Sequence, residues 1–165
     1  MNRPVTSTSK VFSVVGLTLF VALVLTVLPP PDLVFLYWPD WVVVVVFYWA
    51  LMLPERIGPW VGFIVGTLLE VISVKSFGVM GLGMATLAFA VNRAHLQLRV
   101  LSIWQQMIVV GVFVGIFKLL TGWLYGLISG FAISSEYFYS LIGCMLSWPF
   151  IFILLQEFRR TARLN

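Results

Sequence analysis

Six apolar stretches, at about residues 11–28, 34–53, 57–74, 77–92, 101–128 and 137–155, follow one another along the chain with short polar connections between them. Length carries the signal, because a helix rises about 1.5 Å per residue and needs about 20 apolar residues to cross about 30 Å of hydrocarbon. The pattern predicts six transmembrane helices and an all-α integral membrane protein, a single domain over residues 1–165. The second stretch is uneven. Its run Trp41 to Leu53 has only 13 residues, about 20 Å of helix, so Leu33 to Trp38 is expected to contribute to the crossing. Pro39 ends or kinks what precedes it, and Asp40 is placed as an N-cap for the valines that follow. The fourth stretch is short and contains Gly78, Gly81 and Gly83, which predicts a bend or a re-entrant start.

Charge adds an orientation. Arg3 and Lys10 precede the first stretch, Arg56 lies between the second and third, Arg93 and Arg99 between the fourth and fifth, and Arg159, Arg160 and Arg163 follow the sixth. The opposite connections carry Asp32, Asp40 and Glu136 with a single cation, Lys75. By the positive-inside rule both termini are cytoplasmic. Trp38 and Trp41 then mark the outer interface, and Trp60 and Trp104 the inner one. Arg3 and Lys10 resemble the start of a secretory signal, but Leu28-Pro29-Pro30-Pro31 supplies no small-x-small cleavage site, so a retained helix is expected.

Composition narrows the chemistry. Apolar residues make up 61% and charged residues 10%, against about 45–50% and 25% in soluble domains. Six helices leave no room for a soluble catalytic domain. The net charge of +4 flanks helices and is not interleaved with aromatics, which excludes a nucleic-acid partner and leaves the lipid bilayer. Cys144 is alone and forms no internal disulfide. His95, in an expected cytoplasmic loop, has no second ligand nearby, so no metal is expected. No nucleophile has a base at motif spacing and no phosphate-binding loop is present, so neither catalytic residues nor a cofactor are expected.

The specific signals lie inside the apolar stretches. Gly58, Gly62 and Gly66 recur every four residues, and Glu70 continues the series. In the fifth stretch Gly111, Gly115, Gly122 and Gly126 form a similar stripe, with Lys118 between. Residues three and four apart share a helix face, and small residues let membrane helices approach closely. Each face carries one ionisable group. Glu70 and Lys118 stand about 20 and 25 Å along two helices that run in the same direction. A contact between them is the expectation; the alternative is that each finds backbone partners, snorkels, or, for Glu70, is protonated.

Strings along the chain resemble one family. Leu36-Tyr37-Trp38-Pro39-Asp40-Trp41, then Tyr48-Trp49 and Leu53-Pro54-Glu55-Arg56, are similar to the second helix and first inner loop of the MreD family of rod shape-determining membrane proteins. Gly62-Phe63 to Gly66, Leu69-Glu70-Val71-Ile72-Ser73 and Phe77-Gly78 look like its third helix and following turn, and Ile103-Trp104-Gln105-Gln106 and Trp148-Pro149 are similar to parts of its fifth and sixth. Glu70 stands where the family often has aspartate, and Val74 where it has glycine. The resemblance implies a non-enzymatic scaffold of the cell-elongation machinery, multi-pass in the bacterial inner membrane. Its implied partners are MreC, the actin-like MreB, and the glycan polymerase RodA with its transpeptidase. It also implies a bundle resembling the substrate-binding subunits of energy-coupling-factor transporters, which supplies the alternative function, a small-molecule-binding membrane subunit.

Overall fold

The computed structural model describes residues 8–29, 37–73, 78–130 and 135–161. Among these the chain is all-helical, with six α-helices and no strand: α1 Thr8–Val27, α2 Trp41–Met52, α3 Pro59–Ser73, α4 Val79–Val100, α5 Ile103–Ser129 and α6 Tyr139–Thr161. A 3₁₀ turn, Ser135–Phe138, leads into α6. Two of the helices, through Ile103–Ile128 and Tyr139–Arg160, are long and apolar enough by themselves to cross a membrane.

α2 is the centre. Its sequence is apolar on every side, and Val42 to Leu51 are all buried, as a helix with no polar face requires. It touches α1, α4, α5 and α6. Phe47 meets Phe113 of α5 and Trp148 of α6 edge to face, with ring centroids 5.7 and 5.2 Å apart. Tyr48 packs on Phe152 in the same way, at 5.8 Å. Such pairs contribute about 0.5–1.5 kcal/mol each beyond burial.

Short connections make successive helices antiparallel, so each end of the bundle collects alternate joints. Trp38 donates its indole N–H to the Leu25 carbonyl, bringing the end of α1 to the start of α2. At the opposite end Arg99 reaches from α4 to the last turn of α2, donating to the carbonyls of Leu51 (3.0 Å) and Met52 (2.7 Å). These are orphan carbonyls of a helix C-terminus, where a cation is favoured. Nearby Asn92 donates to Ile57 O (3.1 Å) and Gln106 to Leu98 O (3.1 Å). The Gln106 amide oxygen accepts from Trp148 Nε1 at 3.3 Å.

The outer faces are apolar. On α5, Ile108, Val112, Ile116, Leu119, Trp123 and Leu127 are exposed at intervals of three and four, backed by buried Val110, Val114, Phe117 and Thr121. Water would not tolerate a patch of this extent, whereas lipid solvates it.

Two boundaries depart from the sequence pattern. α2 begins at Trp41, and Tyr37 and Trp38 stand outside it, so they do not lengthen that helix. Residues 33–36 lie outside the described segments. Pro39 lacks an N–H and disfavours helical geometry in Trp38. The first bond of α2 is Val44 N–H to Asp40 O, at 3.1 Å. At 12 residues, about 18 Å, the helix by itself is shorter than a hydrocarbon core of about 30 Å. α4 departs in the other direction, running on to Val100 so that Arg93, His95 and Arg99 are helical. Polar side chains do not stop a helix whose backbone bonds continue. The expected bend at Gly78 is instead the start of α4, with Gly78 at φ +94°, a conformation open to glycine.

Candidate functional site

Three ionisable side chains come together at the end of the bundle where α2 and α4 begin. Lys118, 2% exposed, projects from the buried face of α5, and its Nζ lies 2.7 Å from Asp40 Oδ2. Ser140 Oγ donates to the same oxygen at 3.0 Å. The ammonium also stands 4.1 Å from the centroid of the Tyr137 ring, a cation–π distance. Burial pushes the Tyr137 phenol up from its ordinary value, against the opposing pull of the Lys118 charge. It stays protonated, within 3.1 Å of Thr121 Oγ1.

Asp40 is placed by the broken start of α2. Its backbone N–H donates to Cys144 Sγ at 3.3 Å. A β-carbon at Gly143 would overlap the Tyr37 carbonyl, so the extended residues before α2 lie directly on the α6 backbone. Because α2 is short, its first residue sits within the bundle, where Lys118 can reach it.

Glu70, 0% exposed, is satisfied in another way. From α3 its Oε2 accepts the Gly78 N–H at 2.7 Å and its Oε1 accepts the Met80 N–H at 2.7 Å. Tyr125 of α5 donates its hydroxyl to Oε1 at 3.0 Å. The carboxylate thus caps the N-terminus of α4, a task that Gly78, without a side chain, cannot perform. Orphan amides and the positive end of the helix dipole both favour an anion there.

Glu70 and Lys118 therefore do not pair, contrary to expectation. Spacing gave their depths along two axes but not what each face meets. Glu70 finds fixed amide donors, and Lys118 finds a carboxylate that the sequence pattern marked only as a helix cap. Asp40, Tyr125 and Tyr137 were missed as members of these clusters. Tyr125 had a signal, since it lies seven residues after Lys118 on the same helix face.

The glycines divide. A β-carbon at Gly62 would come within 2.6 Å of Met84 O, and one at Gly66 within 2.6 Å of Met80 O, so these two allow α3 to lie backbone to backbone on α4. Gly58 faces open space and packs nothing. A β-carbon at Gly111 would come within 2.6 Å of Met145 Sδ of α6 and one at Gly115 within 3.2 Å of Leu141 Cδ1, while Gly122 is buried and Gly126 half-buried. The α5 stripe is internal. Gly81 and Gly83 of α4, read from sequence as bend residues, are contact positions against Thr67 and Phe117.

Among the described residues no group of three or more His, Cys, Asp or Glu side chains is disposed to hold a metal. A family model described as rod shape-determining protein MreD matches residues 7–158. The rod shape-determining protein MreD of Haemophilus influenzae is 30% identical over 150 residues, covering 88% of this chain and 90% of that protein. No solved structure matches the chain.

Proposed function

Because the chain belongs to the MreD family of rod shape-determining proteins, we propose that it is a non-enzymatic, multi-pass scaffold of the inner membrane. In this role it joins MreC, MreB and the RodA glycan polymerase with its transpeptidase. The match over residues 7–158 carries the reading. Two physical features support it. The outward faces of α1, α3, α5 and α6 are bulky and apolar, suited to lipid and to neighbouring helices. The buried charged groups at the end where α2 and α4 begin are engaged: Lys118 with Asp40, Asp40 with Ser140, and both Glu70 oxygens with donors of α4 and α5. A subunit that captured a polar solute would need such groups free, which weighs against the transporter alternative.

In the proposed orientation the Arg99 end faces the cytoplasm, together with both termini. Cysteine placed at Arg160 and at Tyr139, on a Cys144-free background, tests this in intact cells. An impermeant reagent should label position 139 and leave 160 unlabelled; the reverse pattern would invert the topology. The functional test is depletion with microscopy and affinity capture. Rod-shaped cells should become round, and the protein should recover MreC in mild detergent. Cells that keep their shape but lose uptake of one nutrient would overturn the scaffold reading.

A further inference from the structure

The two ends of the bundle treat their charges differently, and the Arg99 end leaves donors without acceptors. Arg99 of α4 and Arg159 of α6 converge on one residue, Met52, at the end of α2. Arg99 donates to the carbonyls of Leu51 and Met52, and Arg159 Nη1 donates to Met52 Sδ at 3.3 Å. A thioether is a weak acceptor, and each guanidinium carries five N–H groups. Among the described residues neither arginine has a carboxylate within 4.0 Å; the ion pair they contain, Lys118 with Asp40, lies at the other end of the bundle. Two cations from separate helices thus meet the same terminal residue of α2, and the rest of their donors face outward.

Their surroundings are apolar on the outside. Leu96 and Val100 share the outer face of α4 with Arg99 and are 69% and 86% exposed, and Trp104, at the start of α5, is 71% exposed. Acyl chains would lie along such a face, with the indole at headgroup level. Basic sites between membrane helices on the cytoplasmic side suit anionic headgroups, and arginine forks match phosphate oxygens.

We propose that Arg99 and Arg159 form a specific site for the phosphate of an anionic phospholipid, seated at the α2 terminus between α4 and α6. The site rests on the proposed membrane reading. Arg159 is the better handle, because Arg99 also caps α2. Arg160, adjacent in sequence and exposed, is the control of equal charge.

The test is native mass spectrometry of the full chain in detergent, titrated with phosphatidylglycerol, phosphatidylcholine or inorganic phosphate. One saturable phosphatidylglycerol adduct is expected, held tightly by the wild type and roughly tenfold more weakly by Arg159→Gln, the loss of a charge-assisted bond. Arg159→Lys, which keeps charge but not the fork, should fall between, and Arg160→Gln should stay within about twofold of wild type. Equal weakening by Arg159→Gln and Arg160→Gln would overturn the site in favour of general surface charge. Equal retention of phosphatidylcholine, or displacement of the adduct by inorganic phosphate, would also overturn it. The membrane reading fails separately, if the chain stays soluble and monodisperse with no detergent at all. A melting temperature for each variant, equal to wild type in the absence of lipid, keeps loss of binding apart from loss of fold.

Discussion

Glu70 and Lys118 have opposite charges, lie within the same half of the bundle and are both almost wholly buried, yet they are held by different physics. Glu70 sits on backbone amides whose positions are fixed by the first turn of α4. Lys118 sits on a side chain, Asp40, that is itself brought in by the break before α2. One charge closes a helix end and so secures the α3–α4 hairpin; the other ties α5 to the start of the central helix. A buried charge in lipid needs a partner, and a dipole end serves as readily as an ion. At the opposite end Arg99 and Arg159 are less buried and, among the described residues, donate to carbonyls and a thioether. Charge there is anchored to the backbone yet open to the outside.

The largest effect should come from Lys118. Removing one member of a buried pair costs about 3–5 kcal/mol, somewhat less here because Asp40 retains some solvent access. Lys118→Ala should sharply lower detergent melting temperature and cellular abundance, and restoring only the charge elsewhere on α5 should not rescue it. A double-mutant cycle sharpens the contrast: Asp40→Ala with Lys118→Ala should be strongly non-additive, while Glu70→Ala with Lys118→Ala should add to within about 0.5 kcal/mol. A larger coupling between positions 70 and 118 than between 40 and 118 would collapse the distinction between the two charges.

Glu70→Ala leaves two amides and the Tyr125 hydroxyl without an acceptor, at a cost of about 2–4 kcal/mol by the penalty for unpaired buried donors. Hydrogen exchange at the first turn of α4 should rise in this variant and not in Lys118→Ala. Protection of that turn unchanged from wild type would remove the cap.

Next comes the helix contact that the cap secures. Gly66→Ala puts a methyl against the Met80 carbonyl and should cost about 1–3 kcal/mol through separation of α3 from α4. Gly58→Ala, which meets open space, should be neutral or slightly stabilising. Equal effects of the two, read by melting temperature, would mean that α3 does not approach α4 as described.

The smallest change belongs to the arginine end. Arg99→Gln should weaken the α2 terminus by about 1–2 kcal/mol, because Arg99 is itself exposed and its lost charge-assisted bonds are partly replaced. Exchange of the α2 backbone over its last turn is the readout. An effect as large as that of Lys118→Ala would show that the two ends are equally buried in function.

The number of helices was legible because six apolar stretches are separated by short polar connections, and buried backbone polar groups within each are satisfied by helix formation. The start of α2 was legible in Pro39 and Asp40, which stand before it as the break and the N-cap, while most of the expected contribution of Leu33 to Trp38 lies outside the described residues. The run of α4 through Arg93 and Arg99 was misjudged since charge was taken as a loop signal. The glycines of α3 were marked as one packing stripe, but their spacing could not separate Gly62 and Gly66, which lie against α4, from Gly58, which faces open space. By itself, then, the sequence determined an all-helical chain, its apolar stretches and its family, and it marked two of the buried charges, Glu70 and Lys118, because these depend on local composition and length. Which partner each charge takes was decided only by the tertiary structure. The rotation of α3 toward the amides of α4, and the depth at which a short α2 presents Asp40 to Lys118, follow from close packing between helices far apart in the chain, and no one-dimensional spacing encodes that.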